Sequence, residues 1–486
     1  MKKEDVKKLI CLGMCIVLFA AFSFAVPDFW NYDINYKNEK LDIHIPNAVS
    51  SEVADTDFTL PVLYVYSYDI DKLMPYWEWS ADGPVMPVRE ESSVDLYVFD
   101  RGENNVEDIP SHVYYDEMMK LRGRTSSYMQ DKKPFSLEFR NDEGLPVNYD
   151  FLDFNAESDF VFHAPYIDRS LIRNFVAYNL QAQLTDWAPK CQFVELFVDT
   201  PDSELTMDDY QGVYLVVEKI KQDKNRIPMG SYKTPESMEN IFHDGGNIIF
   251  KRDAYEEGFD AATRLERNRF GTRYSVAYPK AENMDSAAAQ AIKDEIEFYE
   301  TALYEGTDED FAQYYDVEQI ARIMVMTEFV KNYEGFTSSL YYYRPRGEKI
   351  KVIQWDYDIG TGNVDYSESL KNARGFSVLD EEKTQPYLMH DNFCNAVISQ
   401  WRELRSEGGI LSEENIIALI DDAETQLDGA WQRNDEKYGY IFENVPFGNK
   451  SNDLENSQQE REYIKEFLIE RGRWLDEHID EITELY

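Results

Sequence analysis

The period of apolar positions along the chain divides it into a strand-rich first half with one helix and a helix-rich second half with one strand pair. Residues 60–66, 94–99 and 135–139 carry β-branched and aromatic side chains between turn-forming residues, which predicts strands. Ile172, Val176, Leu180 and Leu184 then recur at every fourth position, so a helix is predicted over 168–184, with Asp168 placed to cap it. Strands are predicted again at 192–198, 212–218 and 247–251. Helices follow at 286–304 and 317–331. In the second of these, Ile320, Ile323, Met324, Val325, Phe329 and Val330 cover most of the circumference, so it should be a buried core helix. Strands at 340–344 and 350–354 bracket the turn Pro345-Arg346-Gly347, and residues 386–485 return to helix. The sequence holds no internal repeat and no low-complexity tract.

The N-terminus reads differently. Lys2, Lys3, Lys7 and Lys8 precede an apolar run over 9–26, with Pro27 and Asp28 after it. This is the pattern of a signal peptide or a membrane anchor, and Ser23 and Ala25 offer a small-x-small cleavage site. In either case the lysines stay inside and the bulk of the chain is exported, membrane-anchored or secreted. The expected organisation is a leader over 1–26, a linker over 27–57, a strand-rich lobe over 58–230 and a mainly helical lobe over 231–486. The fold class is α+β, and its order of elements is the two-lobed layout of protein kinases, a weak signal by itself.

Charge removes one class of partner. With 93 acidic and 49 basic residues the net charge is −44, and such a surface repels phosphate backbones, so nucleic acid is not expected to bind. Of four cysteines, Cys11 and Cys15 lie in the apolar run. Cys191 and Cys394 are expected as free thiols rather than a bridge.

Several short motifs could carry chemistry. Arg122-Gly123-Arg124 with Thr125, Ser126 and Ser127 can bring backbone N–H groups near a phosphate, and Lys132 or Lys133 can neutralise its charge. A polar hairpin with surface lysines is the plainer alternative. Glu218 ends an apolar run where a buried strand would meet a ligand. Asp356 and Asp358 flank Tyr357 at a strand end before glycine, and paired carboxylates there can hold Mg²⁺ against substrate phosphates. Glu334 follows the core helix and precedes the two aspartates by 22 and 24 residues, which suits a general base. The six histidines show no zinc spacing, and no nucleophile elbow, Walker or dinucleotide fingerprint is present.

Together these motifs resemble the spore coat protein H (CotH) kinase family of atypical kinases. The matching stretches are KLRGRTSS with KKPFSLEF, FVFHAPYIDRSLIRNFVAYNL, YQGVYLVVEKI, GGNIIFKRD, TEFVKNYEGF with LYYYR, and VIQWDYDIG. NFCNAVISQWRELR and FLIERGRWLDEHI resemble the family's end, so the likeness runs from about residue 90 to 480. It implies a kinase-like fold that transfers phosphate from ATP, with Mg²⁺ or Mn²⁺, to Ser or Thr of a protein substrate of the surface or spore-coat type. It also implies Lys132 or Lys133 as the nucleotide lysine, with Arg122 nearby, Glu218 at the hinge, and Asp356 and Asp358 on the metal. The chain departs from the family at two places. Glu334 stands where the family usually has Asp, and Ser338 and Ser339 stand where it usually has Asn. These departures keep a second reading open, a pseudokinase or surface adhesion and scaffold module. A third is a glycosyltransferase using Asp356-Tyr357-Asp358 as a D-x-D motif.

Overall fold

The alternating segments of the first half form strands β1 (Val62–Ser67), β2 (Ser92–Phe99), β3 (His112–Leu121), β4 (Phe135–Glu138), β5 (Asp159–His163), β6 (Cys191–Asp199) and β7 (Tyr210–Glu218). In this computed structural model they close into a barrel of order β7-β5-β4-β3-β2-β1-β6. All neighbouring pairs are antiparallel except β1 and β6, which run parallel with Val62 beside Glu195. Bulges help to curve the wall, one in β2–β3 and one beside Gly212 of β7. Gly212 has φ +88°, and a Cβ there would lie 2.6 Å from Asn434 Oδ1, so glycine is required.

The structure describes residues 44–485 except 76–77, 81–82, 86–88, 103, 124, 202, 233–245, 254–264, 266, 281–282, 285 and 444–453. The leader expected at 1–26 and the linker up to residue 43 lie outside the described residues. Among the described residues no helix is long and apolar enough to cross a membrane.

The α+β class is as expected, but the closure of the strands was not foreseen. Leu63, Val65, Leu96, Val98, Phe160, Phe162, Val194, Leu196, Tyr214 and Val216 fill the barrel. The other face of β7, Val213, Leu215 and Val217, packs outward on helix α1 (Arg173–Ala182). Both faces of β7 are therefore covered, which is why its nine residues are all buried and read as an unbroken apolar run. Helix α1 begins later than predicted. Asp168 accepts from Arg173 N at 2.8 Å, five residues ahead, and from Ser170 N, so it organises the approach to the helix.

Helices α2 (Ser286–Glu305), α3 (Asp308–Tyr314), α4 (Val317–Phe329), α5 (Asp391–Arg405), α6 (Glu413–Gln426), α7 (Ala430–Tyr438) and α8 (Ser457–His478) make up the second half. Helix α4 is the core helix predicted, buried from Gln319 to Phe329 apart from Arg322. A four-stranded antiparallel sheet packs beside it, built from β8 (Ile248–Arg252), β9 (Ser275–Tyr278), β10 (Leu340–Arg344) and β11 (Lys351–Gln354) in the order β9-β8-β10-β11. Strand β11 lies at the edge, where unpaired backbone groups need partners. Two buried glutamines supply them. Gln319 donates to Val352 O at 2.7 Å and accepts from Val352 N at 3.0 Å. Gln181 does the same for Gln354, at 3.2 and 3.0 Å. These four bonds fix the strand that leads into Asp356.

Candidate active site

Eight non-glycine residues have a left-handed backbone among the described residues, and five of them lie between 331 and 361: Lys331, Phe336, Ser339, Asp356 and Thr361. Each such residue costs free energy that the surrounding structure must offset, and such residues gather at functional sites. Here they mark two loops. One runs from the end of α4 to β10, the other follows β11.

The first loop turns tightly because Gly335 has no side chain: a Cβ there would lie 2.2 Å from Thr327 Cγ2 of α4. Glu334 stands just before it, with Tyr333 Oη donating to Glu334 Oε1 at 3.2 Å. Burial and the Asp253 carboxylate raise the Glu334 pKa. Its side chain is nevertheless open to solvent, so that rise is small in effect. Asn332 joins the two loops by donating to Asp356 O at 2.8 Å.

In the second loop, the Asp356 carboxyl lies against that of Asp358. Burial and then the Asp358 charge push the Asp356 pKa up to about 7, and Glu334 adds to the rise. Asp358 Oδ1 accepts from Asn174 Nδ2 at 2.6 Å and faces His163 Nε2 at 3.1 Å. Burial pushes the His163 pKa down, but the adjacent Asp358 carboxylate outweighs it and the net shift is upward. Asn174 Oδ1 also accepts from Tyr357 N at 2.9 Å, and Asn363 Nδ2 donates to Asp358 O at 2.7 Å. The turn is thus held from α1, from β5 and from its own far side.

A buried ionic cluster supports the same turn. Arg173 pairs with Asp168 at 2.7 Å and with Glu460 of α8 at 2.7 Å, and its Nε reaches Gly360 O and Thr361 Oγ1. Arg169 pairs with Glu460 at 3.0 Å. All four charged groups are buried, a costly arrangement that is stable only with every partner in place.

The residues singled out from sequence separate into two groups. Arg122, directly after β3, stacks its guanidinium on Trp355 at 5.4 Å and interacts with the Asp356 charge. Glu334 also feels Asp356. Arg122, Glu334, Asp356 and Asp358 therefore share one site. Lys132, Lys133 and Glu218 are engaged inside the fold. Lys132 is fully buried and donates to Val213 O, to Asn434 Oδ1 at 2.8 Å and to Pro165 O. Lys133 donates to Gln130 O and Ser127 O. Glu218 pairs with Arg226 at 2.6 Å and accepts from Lys190 N.

The sequence reading missed His163 and Glu460; it singled out the stretches holding Asn174 and Asn332 but gave neither residue a role. A signal was available for His163, a polar residue set between the apolar runs 160–162 and 164–167. Among the described residues no group of three or more His, Cys, Asp or Glu could hold a metal ion by itself. Two converging carboxylates, Asp356 exposed and Asp358 half-buried, still fit Mg²⁺ or Mn²⁺, since Mg²⁺ is commonly bound by one or two carboxylates with substrate phosphates and water.

A strand barrel, a core helix and an acidic turn set on an edge strand define an α+β protein with a polar, two-loop site. The CotH kinase protein family matches residues 119–475, and the chain belongs to that family. It is similar to the inner spore coat protein H of Bacillus subtilis (strain 168), 23% identical over 330 residues, covering 67% of this chain and 80% of the relative.

Proposed function

We propose that the protein is an exported phosphotransferase with a kinase-like two-lobed architecture, the barrel serving as the strand-rich lobe. It moves the γ-phosphoryl group of ATP to a Ser or Thr hydroxyl of a protein substrate, with Mg²⁺ or Mn²⁺. The observation that carries the reading is the meeting of Asp356, Asp358, Glu334 and Arg122 at the two strained loops. Asp356 and Asp358 would hold the cation, which when bound neutralises phosphate charge. Arg122 supplies a fixed positive charge beside them, backed by Trp355. Glu334 takes the acceptor proton as the hydroxyl oxygen attacks phosphorus and the bond to ADP breaks. Lys132 is engaged by buried bonds between β7 and α7, which favours Arg122 as the candidate for that charge. The relative's name supports a spore-coat or other extracytoplasmic location.

Two observations favour a second reading, a binding module without turnover. Glu334 accepts from Tyr333 Oη, and Ser338 and Ser339 stand where the family usually has Asn. Glu334 variants separate the two. Under the kinase reading, Glu334→Gln keeps ATP binding while transfer falls by ~10²–10⁴-fold. If the extra methylene merely misplaces the base, Glu334→Asp raises transfer above wild type. ATP binding with no transfer from either the wild type or Glu334→Asp would leave the binding module as the better account.

A further inference from the structure

The two motif aspartates are held differently, and the difference goes further than the phosphotransfer reading on which it rests. Asp358 Oδ1 receives two donors, Asn174 Nδ2 at 2.6 Å and His163 Nε2 at 3.1 Å. The two nitrogens are themselves 3.0 Å apart. His163 Nε2 cannot both donate to the carboxylate and accept from the amide. The shorter amide contact to Asp358 and the charge of its oxygen assign both protons to Oδ1, so the 3.0 Å separation is that of two donors sharing one acceptor. A carboxylate oxygen has two lone-pair sites, and both on Oδ1 are taken. Asp358 is left with Oδ2 for any further partner.

Asp356 presents the opposite case. Its backbone is secured, with Asn332 on its carbonyl and Tyr178 Oη near its N–H at 3.4 Å. Its carboxylate is exposed and faces the Asp358 carboxyl, whose charge opposes its own. Two carboxylates this close repel one another unless a cation lies between them or they share a proton. Its backbone is also in the left-handed region, with φ +69°, so the position is enforced by its neighbours.

We propose that Asn174 and His163 are positioning residues that hold Asp358 with Oδ2 as its one free oxygen, and that Asp356 is the leading ligand of the divalent cation. Both positioning residues stand on rigid elements. His163 closes β5, paired with Leu215 of β7 in the barrel wall. Asn174 is the second residue of α1, whose start is locked by the Asp168–Arg173–Glu460 cluster. One amide group grips both the side chain of Asp358 and the main chain of Tyr357, so a shift of α1 would move the acidic turn with it. Groups that orient a ligand in this way commonly change metal affinity by ~10–100-fold when removed.

The test is Mn²⁺ alone titrated into the full chain by calorimetry, with melting temperature measured in parallel. Asp356→Asn should abolish binding, and Asp358→Asn should weaken it less. Asn174→Ala and His163→Ala should each weaken binding by ~10–100-fold. His163→Gln, which keeps an N–H donor, should recover most of the loss. A purely structural role would lower the melting temperature and leave the affinity of the folded protein unchanged. Wild-type affinity in both alanine variants, or a greater loss in Asp358→Asn than in Asp356→Asn, would overturn the proposal. If the wild type itself binds no Mn²⁺, the metal reading fails and so does the role given to Asp356. A crystal structure of Asn174→Ala then decides the positioning role: a turned Asp358 carboxylate supports it, and an unmoved one overturns it.

Discussion

The barrel interior and the seam around the acidic turn are both buried, yet they are built from opposite materials. Inside the barrel, aliphatic and aromatic side chains such as Leu96, Phe160 and Phe162 fill space without directional bonds. In the seam, Arg173, Asp168, Glu460, Gln181 and Gln319 make bonds that work only in one arrangement. Apolar packing tolerates a change of shape better than a charged network tolerates a missing partner. The molecule has therefore placed its orientation-dependent contacts where loops of unfavourable backbone geometry must be held, and its forgiving contacts where only volume matters. The same rule appears beside the seam, where Lys331 donates to the carbonyls of Ser369, Asn372 and Arg374, and Arg471 pairs with Glu328 while also bonding Ala373 O and Gly375 O.

The sharpest way to break this comparison is to remove one partner on each side. Glu460→Ala leaves Arg169 and Arg173 buried without their carboxylate, and should cost about 3–5 kcal/mol. It should also disturb the acidic turn, because Arg173 no longer holds Gly360 and Thr361 in place. Leu96→Ala in the barrel should cost about 2–5 kcal/mol while leaving ligand affinity of the folded protein unchanged. Chemical denaturation with ligand titration measures both. Equal effects on affinity would erase the distinction.

A smaller effect should appear where the barrel wall carries a charge. Glu117 of β3 is buried, and burial raises its pKa to about 7, although it accepts from Arg140 N at 2.7 Å. Its folded pKa lies above the unfolded one near 4.5, so its contribution to stability is present at acidic pH and is lost as pH rises from there through about 7. The loss is on the order of 3 kcal/mol. Glu117→Gln should remove that decline, raising the melting temperature at pH 8 relative to wild type and changing it little at pH 4. A wild-type slope in the variant would place the decline elsewhere.

The smallest effect tests the strained loop. Ser339 has φ +52°, a conformation asparagine tolerates better than serine, and the family resemblance puts Asn in the place of Ser338 and Ser339. Ser339→Asn should add up to about 1 kcal/mol of stability. Destabilisation in thermal melts would show that the serine is matched to its surroundings.

How much of this was legible in the sequence follows from the same contrast. Period and side-chain type revealed α4 and most strands, because apolar burial leaves a repeating trace. Strand β3 went unnoticed: HVYYDEMMKL alternates irregularly around a bulge, with several exposed polar positions. Barrel closure depends on the pairing of β1 with β6, some 130 residues apart, and local patterning carries no record of it. In the site, Asp356, Asp358 and Glu334 were visible through spacing and motif. Asn174 and His163 gain their meaning only when α1 and β5 are brought to the turn, and Glu460 arrives from α8 at the far end of the chain. Lys132 shows the reverse limit, since a lysine before a strand reads as available, whereas the fold surrounds it with acceptors.

The central claim is that the acidic turn binds a divalent cation together with ATP. Its most direct test is the melting temperature of the full chain with ATP and Mn²⁺ or Mg²⁺, compared with that of the double variant Asp356→Ala, Asp358→Ala. Binding to the native state alone raises stability, by about 2.7 kcal/mol when ligand is at a hundredfold excess over its Kd. The account predicts a clear metal-dependent rise for the wild type and none for the double variant. An undiminished rise in the double variant, or no rise in the wild type with either metal, would contradict it.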